Sequence, residues 1–103
     1  MHIVKVTYTV KAGYTSKNQE NISKVMGDLR NINNPGIRYG TYLGPDGVSF
    51  MHFAHFKEEA LQKILFDLES FIAFQQELKN GNLEVPPKTE IMKLVDSCYD
   101  IFN

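Results

Sequence analysis

The feature of the sequence that most constrains the fold is the run Val48–Phe56, VSFMHFAHF. It contains no Gly, no Pro and no side chain of fixed charge, which is typical of a β-strand. Because successive side chains of a strand point to opposite faces, Phe50 lies on one face, and Met51 and Phe53 lie on the other. Both faces of the strand therefore carry apolar side chains that are expected to be buried. The helices of a small domain cover only one face, so we expect a second subunit to cover the other.

Size and charge limit what the chain can be. Its 103 residues are enough for one domain, predicted to span residues 1–103. The net charge of −1 gives no electrostatic reason to expect binding to nucleic acid or to an anionic membrane. No apolar run approaches the roughly 20 residues that cross a bilayer, and the N-terminus lacks a signal-peptide core. With the single cysteine, Cys98, which cannot form an internal disulfide, this predicts a soluble, cytoplasmic protein.

Hydrophobic periodicity predicts the remaining elements. Strands alternate apolar and polar side chains, whereas helices repeat apolar side chains every three to four residues. In chain order the predicted elements are a strand at His2–Val10, a helix at Ser16–Ile32, a strand at Ile37–Leu43, the central strand at Val48–Phe56, a helix at Glu58–Lys79 and an edge strand at Lys88–Val95. Right-handed crossovers arrange this β-α-β-β-α-β order as a ferredoxin-like α+β fold. Its four-stranded antiparallel sheet has the spatial order 4-1-3-2, with both helices on one face.

Local signals refine the ends of the helices. Ser16 and Gln19 match a capping box at the start of the first helix. Ser70 is a candidate cap for a second helical segment, so we expect the second helix to kink near Leu68–Ser70. The residues predicted to form the buried stripe of the first helix are Ile22, Val25, Met26, Leu29 and Ile32. The C-terminal segment carries Tyr99, Ile101 and Phe102, which we expect to dock on this subunit or the next.

The turn Gly44–Gly47, GPDG, joins the second strand to the central strand as a hairpin. A four-residue loop places Tyr39 on the same face as His52. A glycine bulge at Gly47 would instead swap the face of one strand relative to the other. The first register is favoured, because it separates apolar from mixed side chains more cleanly.

These segments resemble the dimeric α+β barrel superfamily over nearly the whole chain. The resemblance is carried by VKAGYTSKNQENI before and into the first helix, by the hairpin GIRYGTYLGPDG and by FMHFAHFKEEA leading into the second helix. The superfamily includes antibiotic-biosynthesis, small quinol and haem-degrading monooxygenases. The resemblance implies a homodimer with its sheets packed face to face, and a small apolar ligand between sheet and helices. It does not extend to the haem-degrading branch, because the chain lacks that branch's Asn, Trp and His at the matching places. We expect no cofactor.

The candidate polar residues of the cleft are His52, Tyr8 and Tyr39. His52 lies between apolar neighbours, and a buried imidazole needs a hydrogen-bond partner. A tyrosine can supply it, and so can a ligand; the alternative is a purely structural core histidine. The side chains predicted to line the apolar part of the cleft are Phe50, Ala54, Phe56, Met26, Phe66, Phe71 and Phe74. The alternative for these is a packed core.

An alternative site lies on the other sheet face. Arg38, Tyr42 and His55 are predicted to face the dimer side, either as an anion-binding cluster or as interface hydrogen-bonding residues. His52 and His55 lie on opposite faces of one strand, so we expect no shared metal ion.

Two kinds of function fit this sequence. One is a binding protein for an elongated apolar or aromatic molecule, with or without an acid group, or a cofactor-independent monooxygenase-like enzyme acting on such a molecule. The other is a non-catalytic dimeric structural or interaction module whose cleft is filled by its own side chains. The sequence leaves open whether the protein catalyses a reaction.

Overall fold

The computed structural model describes residues 1–102, which form one antiparallel sheet covered by helices on one face. The elements are β1 (His2–Val10), α1 (Thr15–Ile32), β2 (Ile37–Leu43), β3 (Ser49–Phe56), a short 3-10 helix (Glu59–Leu61), α2 (Gln62–Phe66), α3 (Glu69–Lys79) and β4 (Leu83–Met92). The strands lie in the order β2-β3-β1-β4. This confirms the predicted ferredoxin-like topology and the spatial order 4-1-3-2. Across the described residues, no helix is long and apolar enough to cross a membrane.

The central strand β3 alternates strictly between two environments. Its side chains toward the helices are buried, and those toward the opposite face are half-buried. We call that opposite face the open face; its β3 residues are Ser49, Met51, Phe53 and His55. Opposite β3, Thr41 pairs with His52 and Tyr39 pairs with Ala54. The hairpin therefore has the register of the four-residue loop, with Tyr39 and His52 on the helix side.

The core lies between the sheet and the helices. Phe56 and Val10 from the sheet are almost fully buried, and Val25 of α1, Leu65 of α2 and Leu78 of α3 pack in the same cluster. Burying such side chains is the main favourable term in folding, roughly 1.5–3 kcal/mol for each large apolar side chain. All three α-helices thus pack on the helix-facing side of the sheet.

The hairpin turn is held by the side chain of Asp46 and by the backbone conformation of Gly47. Asp46 Oδ1 accepts hydrogen bonds from the backbone N–H groups of Val48, at 3.0 Å, and Ser49, at 2.8 Å. Gly47 has φ = 75°, in the left-handed region that strains residues with a Cβ atom. The turn therefore depends on glycine for its backbone conformation.

Replacing Gly47 with Ala should destabilise the protein by roughly 1 kcal/mol, because the strain comes from the backbone and not from a clash. A Cβ atom built at Gly47 meets nothing within 4 Å. Gly27→Ala is the matched control, because Gly27 lies within α1 and its added Cβ would meet only Arg30 Nη2 at 3.9 Å. The control should leave stability unchanged or raise it. Urea unfolding of both variants measures this, and equal stabilities would contradict the strain at Gly47.

The start of α1 differs from the prediction. The helix begins at Thr15, and Ser16 is an exposed residue of its first turn, so the predicted capping box is wrong. Thr15 Oγ1 instead donates a hydrogen bond of 2.7 Å to the carbonyl oxygen of Gly47. This contact joins the first turn of α1 to the hairpin turn, and no side-chain hydrogen bond caps the start of the helix.

The buried stripe of α1 also differs in part from the predicted one. Ile22 and Val25 are buried as predicted, but Ile32 at the end of the helix is 43% exposed. Two polar side chains, Asn18 and Asn21, are buried on the same stripe. Their spacing from Ile22 and Val25 places them on that face.

The predicted second helix is divided into α2 and α3. Leu68 between them has φ = −67° and ψ = 126°, an extended conformation that ends one helix before the next begins. A kink was expected near this place. Ser70 is not a cap, however: it lies inside α3, and its hydroxyl donates a hydrogen bond of 2.6 Å to Asp28 Oδ2 of α1.

The last strand is the largest departure from the predicted boundaries. β4 spans Leu83–Met92 instead of Lys88–Val95, so it begins five residues before the predicted strand. Its two prolines are tolerated because β4 is an edge strand, and the pairing with β1 shifts register between Thr7 and Thr9. A Pro-Pro pair in a sequence normally indicates the end of a strand. At an edge, the strand can continue through it with an irregular pairing.

Beyond β4 the chain returns to the opposite edge of the sheet. The Arg38 side chain of β2 donates a hydrogen bond of 3.3 Å from Nε to the carbonyl oxygen of Ile101. Ile101 and Phe102 are half-buried, whereas Tyr99 is 67% exposed. The end of the C-terminal segment, Ile101 and Phe102, therefore docks on the same subunit. Asn103, the last residue of the C-terminal segment, lies outside the described residues.

Candidate functional site

A cleft of about 300 Å³ lies between the sheet and helices α2 and α3. From the sheet it is lined by Val4, Val6, Tyr8, Tyr39, His52, Ala54, Phe56, Pro87, Thr89 and Ile91, and from the helical side by Gln62, Leu65, Phe66, Phe71, Phe74, Gln75, Leu78 and Lys79. The lining is mostly apolar. Its polar groups are few, which is the usual composition of a small-molecule site.

Most of the predicted cleft residues line this cavity. His52, Tyr8, Tyr39, Ala54, Phe56, Phe66, Phe71 and Phe74 are all among the lining residues. Phe50 is not, because it is buried in the core and stacks on Tyr8 with ring centroids 5.6 Å apart. Met26 lines a second depression of about 250 Å³ between the end of α1 and β2. Those two residues thus lie outside the cleft.

His52 is held by hydroxyl groups from both neighbouring strands. Tyr8 Oη of β1 is 2.7 Å from His52 Nε2, and Tyr39 Oη of β2 is 2.6 Å from Nδ1. Thr41 Oγ1 lies 3.2 Å from the same Nδ1 atom. The strand register produces this cluster. His52 pairs directly with Val6 of β1 and Thr41 of β2, and Tyr8 and Tyr39 are its diagonal neighbours on the same two strands. The imidazole is 5% exposed, so both of its nitrogens are satisfied inside the protein.

A fifth polar residue, Asn18, lies next to Tyr8. Asn18 of α1 donates a hydrogen bond of 2.9 Å from Nδ2 to Tyr8 Oη. Its side chain is fully buried, and its Oδ1 atom has no hydrogen-bond partner among residues 1–102. Asn18 is not among the residues predicted from the sequence, because the apolar pattern that marks the buried stripe contains no polar residue. An asparagine in phase with that stripe was the available signal.

Burial sets the charge of the site. Desolvation lowers the pKa of His52 from 6.5 to about 4, so its imidazole is neutral at pH 7. Desolvation likewise raises the pKa of both Tyr8 and Tyr39 above their ordinary value, and both phenols keep their protons. The innermost part of the cleft is therefore polar but uncharged. Lys79 is the one lining side chain of fixed charge, and it is exposed at the end of α3.

This chemistry suits hydrogen bonding to a neutral group of a ligand. A neutral imidazole between two phenols can orient a carbonyl or hydroxyl oxygen, or stabilise negative charge that develops on it. Among residues 1–102 there is no group of three His, Cys, Asp or Glu side chains that could hold a metal ion. Both nitrogens of His52 are occupied by hydroxyl groups.

The alternative cluster lies on the open face. Arg38 and His55 are directly paired across β2 and β3, and Tyr42 pairs with Met51 further along β2. Tyr42 is 65% exposed. The structure thus brings Arg38 and His55 together, while Arg38 also contacts the C-terminal segment. Tyr42 lies on the same face but four residues further along β2, about 13 Å from Arg38 at the usual rise of a strand, so the three side chains do not form one cluster.

Comparison with known proteins identifies the fold. No known protein family matches the sequence, and no curated protein matches it either. Solved structures do match. An antibiotic biosynthesis monooxygenase superposes with a TM-score of 0.76 at 15% identity, covering 93% of this chain and 100% of that one. A Mycobacterium tuberculosis protein gives a TM-score of 0.77 at 13% identity, with 95% and 98% covered.

A third match is SnoaB from Streptomyces nogalater, described as a cofactor-independent oxygenase. Its TM-score is 0.70 at 12% identity, and the alignment covers 96% of this chain and 98% of that one. At such identities the likeness establishes the fold and no more. The chain thus has the ferredoxin-like fold of the antibiotic-biosynthesis-monooxygenase-like proteins, as the resemblance in its sequence implied.

Proposed function

We propose that the cleft binds a small apolar or aromatic molecule whose polar head lies at Tyr39 and His52. The observation that carries this proposal is the buried Tyr8–His52–Tyr39 cluster at the inner wall of an otherwise apolar cleft. The cleft volume of about 300 Å³ is at the lower end of the range for small-molecule sites. This volume weighs against the alternative of a module whose cleft is filled by its own side chains.

The two ends of the cleft favour different parts of a ligand. At the inner end, charge is disfavoured because burial keeps His52, Tyr8 and Tyr39 neutral. An acid group, if the ligand has one, is better placed near Lys79 at the rim. The proposed ligand is therefore elongated, with a neutral oxygen-bearing ring inside and any carboxylate outside. A carboxylate that paired with a charged His52 would instead lie at the inner end of the cleft.

A second candidate function is cofactor-independent oxygenation of such a molecule. The observation that favours it is the uncharged Tyr39 hydroxyl, held by neutral His52 beside the ligand's expected oxygen atom, which could stabilise an enolate or phenolate. One solved structure with this fold is described as a cofactor-independent oxygenase. Without a metal, the substrate itself must supply a stabilised carbanion that reacts with O₂, so phenols, hydroquinones and aromatic ketones with an acidic C–H are the compounds to test. Oxygen consumption above the rate without protein would support catalysis.

We also propose that the chain forms a homodimer through the open face. Met51 and Phe53 are half-buried there although the helices lie on the other side of the sheet. A Cβ atom built at Gly40, which pairs with Phe53, would meet nothing within 4 Å, so space is open beside that ring. A second sheet packed on this face would bury both side chains.

Replacing His52 with Phe should weaken ligand binding by roughly fivefold or more, because the side chain keeps its volume but loses the hydrogen bonds that position the hydroxyl of Tyr39. Native mass spectrometry of protein purified from cells identifies any ligand that remains bound, and calorimetry measures its affinity. His55→Phe is the matched control, since it makes the same substitution on the other face of β3. If folded His52→Phe protein binds as tightly as wild type, the ligand does not lie at His52.

A further inference from the structure

The direction of the hydrogen bonds at Tyr8 can be worked out by counting protons. The Tyr8 hydroxyl has one proton and two lone pairs. Asn18 Nδ2 is a donor only, so Tyr8 Oη accepts from it at 2.9 Å. If His52 Nε2 also donated to Tyr8, the Tyr8 proton would be left without an acceptor at a side chain that is 3% exposed. Because an unsatisfied buried group is costly, Tyr8 donates its proton to Nε2.

The same count continues through the imidazole. A neutral imidazole carries one proton, and with Nε2 accepting from Tyr8 that proton is on Nδ1. Nδ1–H then donates to Tyr39 Oη at 2.6 Å. Thr41 Oγ1 also lies near Nδ1, at the longer distance of 3.2 Å. Because Tyr39 Oη accepts from Nδ1–H, Tyr39 has its own proton left to donate into the cleft that it lines.

We propose that Asn18 is a positioning residue that sets the direction of this chain of donors, from Asn18 through Tyr8 and His52 to the Tyr39 hydroxyl, so that the cleft selects head groups that accept a hydrogen bond. Aromatic ketones belong to this class of ligand. The ligand preference rests on the proposed function of the cleft, whereas the direction of the chain is a property of the ligand-free protein. Donors aligned in one direction polarise one another, which strengthens the last bond in the series.

The buried position of Asn18 supports this role over a purely structural one. Its side chain is fully buried and makes one hydrogen bond, while its Oδ1 atom has no partner within residues 1–102. An apolar side chain would fill this place in the core without that unsatisfied atom. What Asn18 adds over an apolar residue is the donor aimed at Tyr8.

The direct test is the tautomer of His52 in the ligand-free protein. Nitrogen NMR of protein containing isotope-labelled histidine distinguishes a protonated from an unprotonated ring nitrogen at neutral pH, and His52→Phe assigns the signal. We expect the proton on Nδ1. A proton on Nε2 in wild-type protein would overturn the proposal, whether or not any ligand binds.

Asn18→Asp reverses the first donor with almost no change in shape. Burial raises the pKa of a carboxyl at this place, so the variant is measured at about pH 9, where His52 is still neutral. The ionised carboxylate accepts from Tyr8, which must then accept from Nε2–H, and the His52 proton moves from Nδ1 to Nε2. Gln19→Glu, an exposed neighbour on α1, is the control for added charge and should leave the tautomer unchanged. A tautomer that stays on Nδ1 in folded Asn18→Asp protein at this pH would show that Asn18 does not set the direction. If this variant does not fold, the wild-type tautomer still decides the question.

A matched ligand pair tests the consequence for binding. The probes are α-tetralone, which has one ketone oxygen, and tetralin, which has the same rings without it. Wild-type protein should bind α-tetralone roughly three- to tenfold more tightly than tetralin, and Asn18→Asp should remove this preference without weakening tetralin. Equal binding of both probes by wild type would overturn the ligand preference. Failure of both to bind, with the Nδ1 tautomer present, would count against the proposed function and leave the positioning role of Asn18 supported.

Discussion

Lowering the pH from about 7 to below about 4 should remove roughly 3 kcal/mol of the free energy of unfolding through His52 alone. In the unfolded chain this histidine takes up a proton at its ordinary pKa of 6.5, whereas burial holds the folded pKa at about 4. Between these values the unfolded state binds more protons than the folded state, so stability falls as the pH falls. The contribution is fully present above the unfolded pKa and is lost once the pH passes through the folded pKa. Each pH unit between the two corresponds to about 1.36 kcal/mol.

Urea unfolding of wild type and His52→Phe across this pH range measures the effect. The groups that contact the imidazole are the hydroxyls of Tyr8, Tyr39 and Thr41, and none of them ionises below neutral pH. Other titrating side chains are shared by both proteins, so the difference between the two pH profiles isolates His52. Wild type should lose more stability toward acid than the variant. Parallel profiles would mean that His52 is protonated as readily in the folded state as in the unfolded chain.

Phe53→Glu should convert the proposed homodimer into a monomer. Burying a phenylalanine is worth roughly 1.5–3 kcal/mol, and a two-fold interface contains two copies of it. Replacing both with carboxylates removes that contribution and adds the cost of burying charge. We therefore expect the dissociation constant to rise by roughly a hundredfold or more. Analytical ultracentrifugation over a range of micromolar concentrations measures the change.

Ile72→Glu is the control for this experiment. Ile72 is an exposed apolar residue, 42% accessible, and it lies on α3 at the helical side of the molecule. This variant should sediment like wild type. A wild-type protein that is monomeric at these concentrations, or a Phe53→Glu protein that still dimerises, would show that the open face is not the interface.

The fold could be predicted because its strands carry strong local patterns. β1 and β2 begin and end at the predicted residues, since alternation and flanking glycines mark them clearly. β4 was misplaced, because its prolines are acceptable only at an edge that lies beside β1 through a long-range pairing. The start of α1 was misjudged for a similar reason: the hydrogen bond from Thr15 to Gly47 joins residues far apart in sequence.

The candidate site could be predicted only in part. Hairpin register was sufficient to bring Tyr39 beside His52, and alternation in β1 put Tyr8 on the same face. The place of Phe50, behind Tyr8 instead of in the cleft, depends on how the rings stack, which no sequence pattern specifies. Asn18 was missed because a polar residue on an apolar stripe is recognised as buried only when its partner is known.

The extended residue Leu68 has a consequence for how a ligand enters and leaves. It makes α2 a separate helix of five residues, and this helix contributes Leu65 and Phe66 to the wall of the cleft. So short a helix is marginal without its tertiary packing, and it can unfold locally while the sheet and α3 stay folded. Backbone amides of α2 should then exchange with deuterium sooner than those of α1 or α3. The rate of this local unfolding, more than the strength of the polar contacts at His52, would set how long a bound molecule stays.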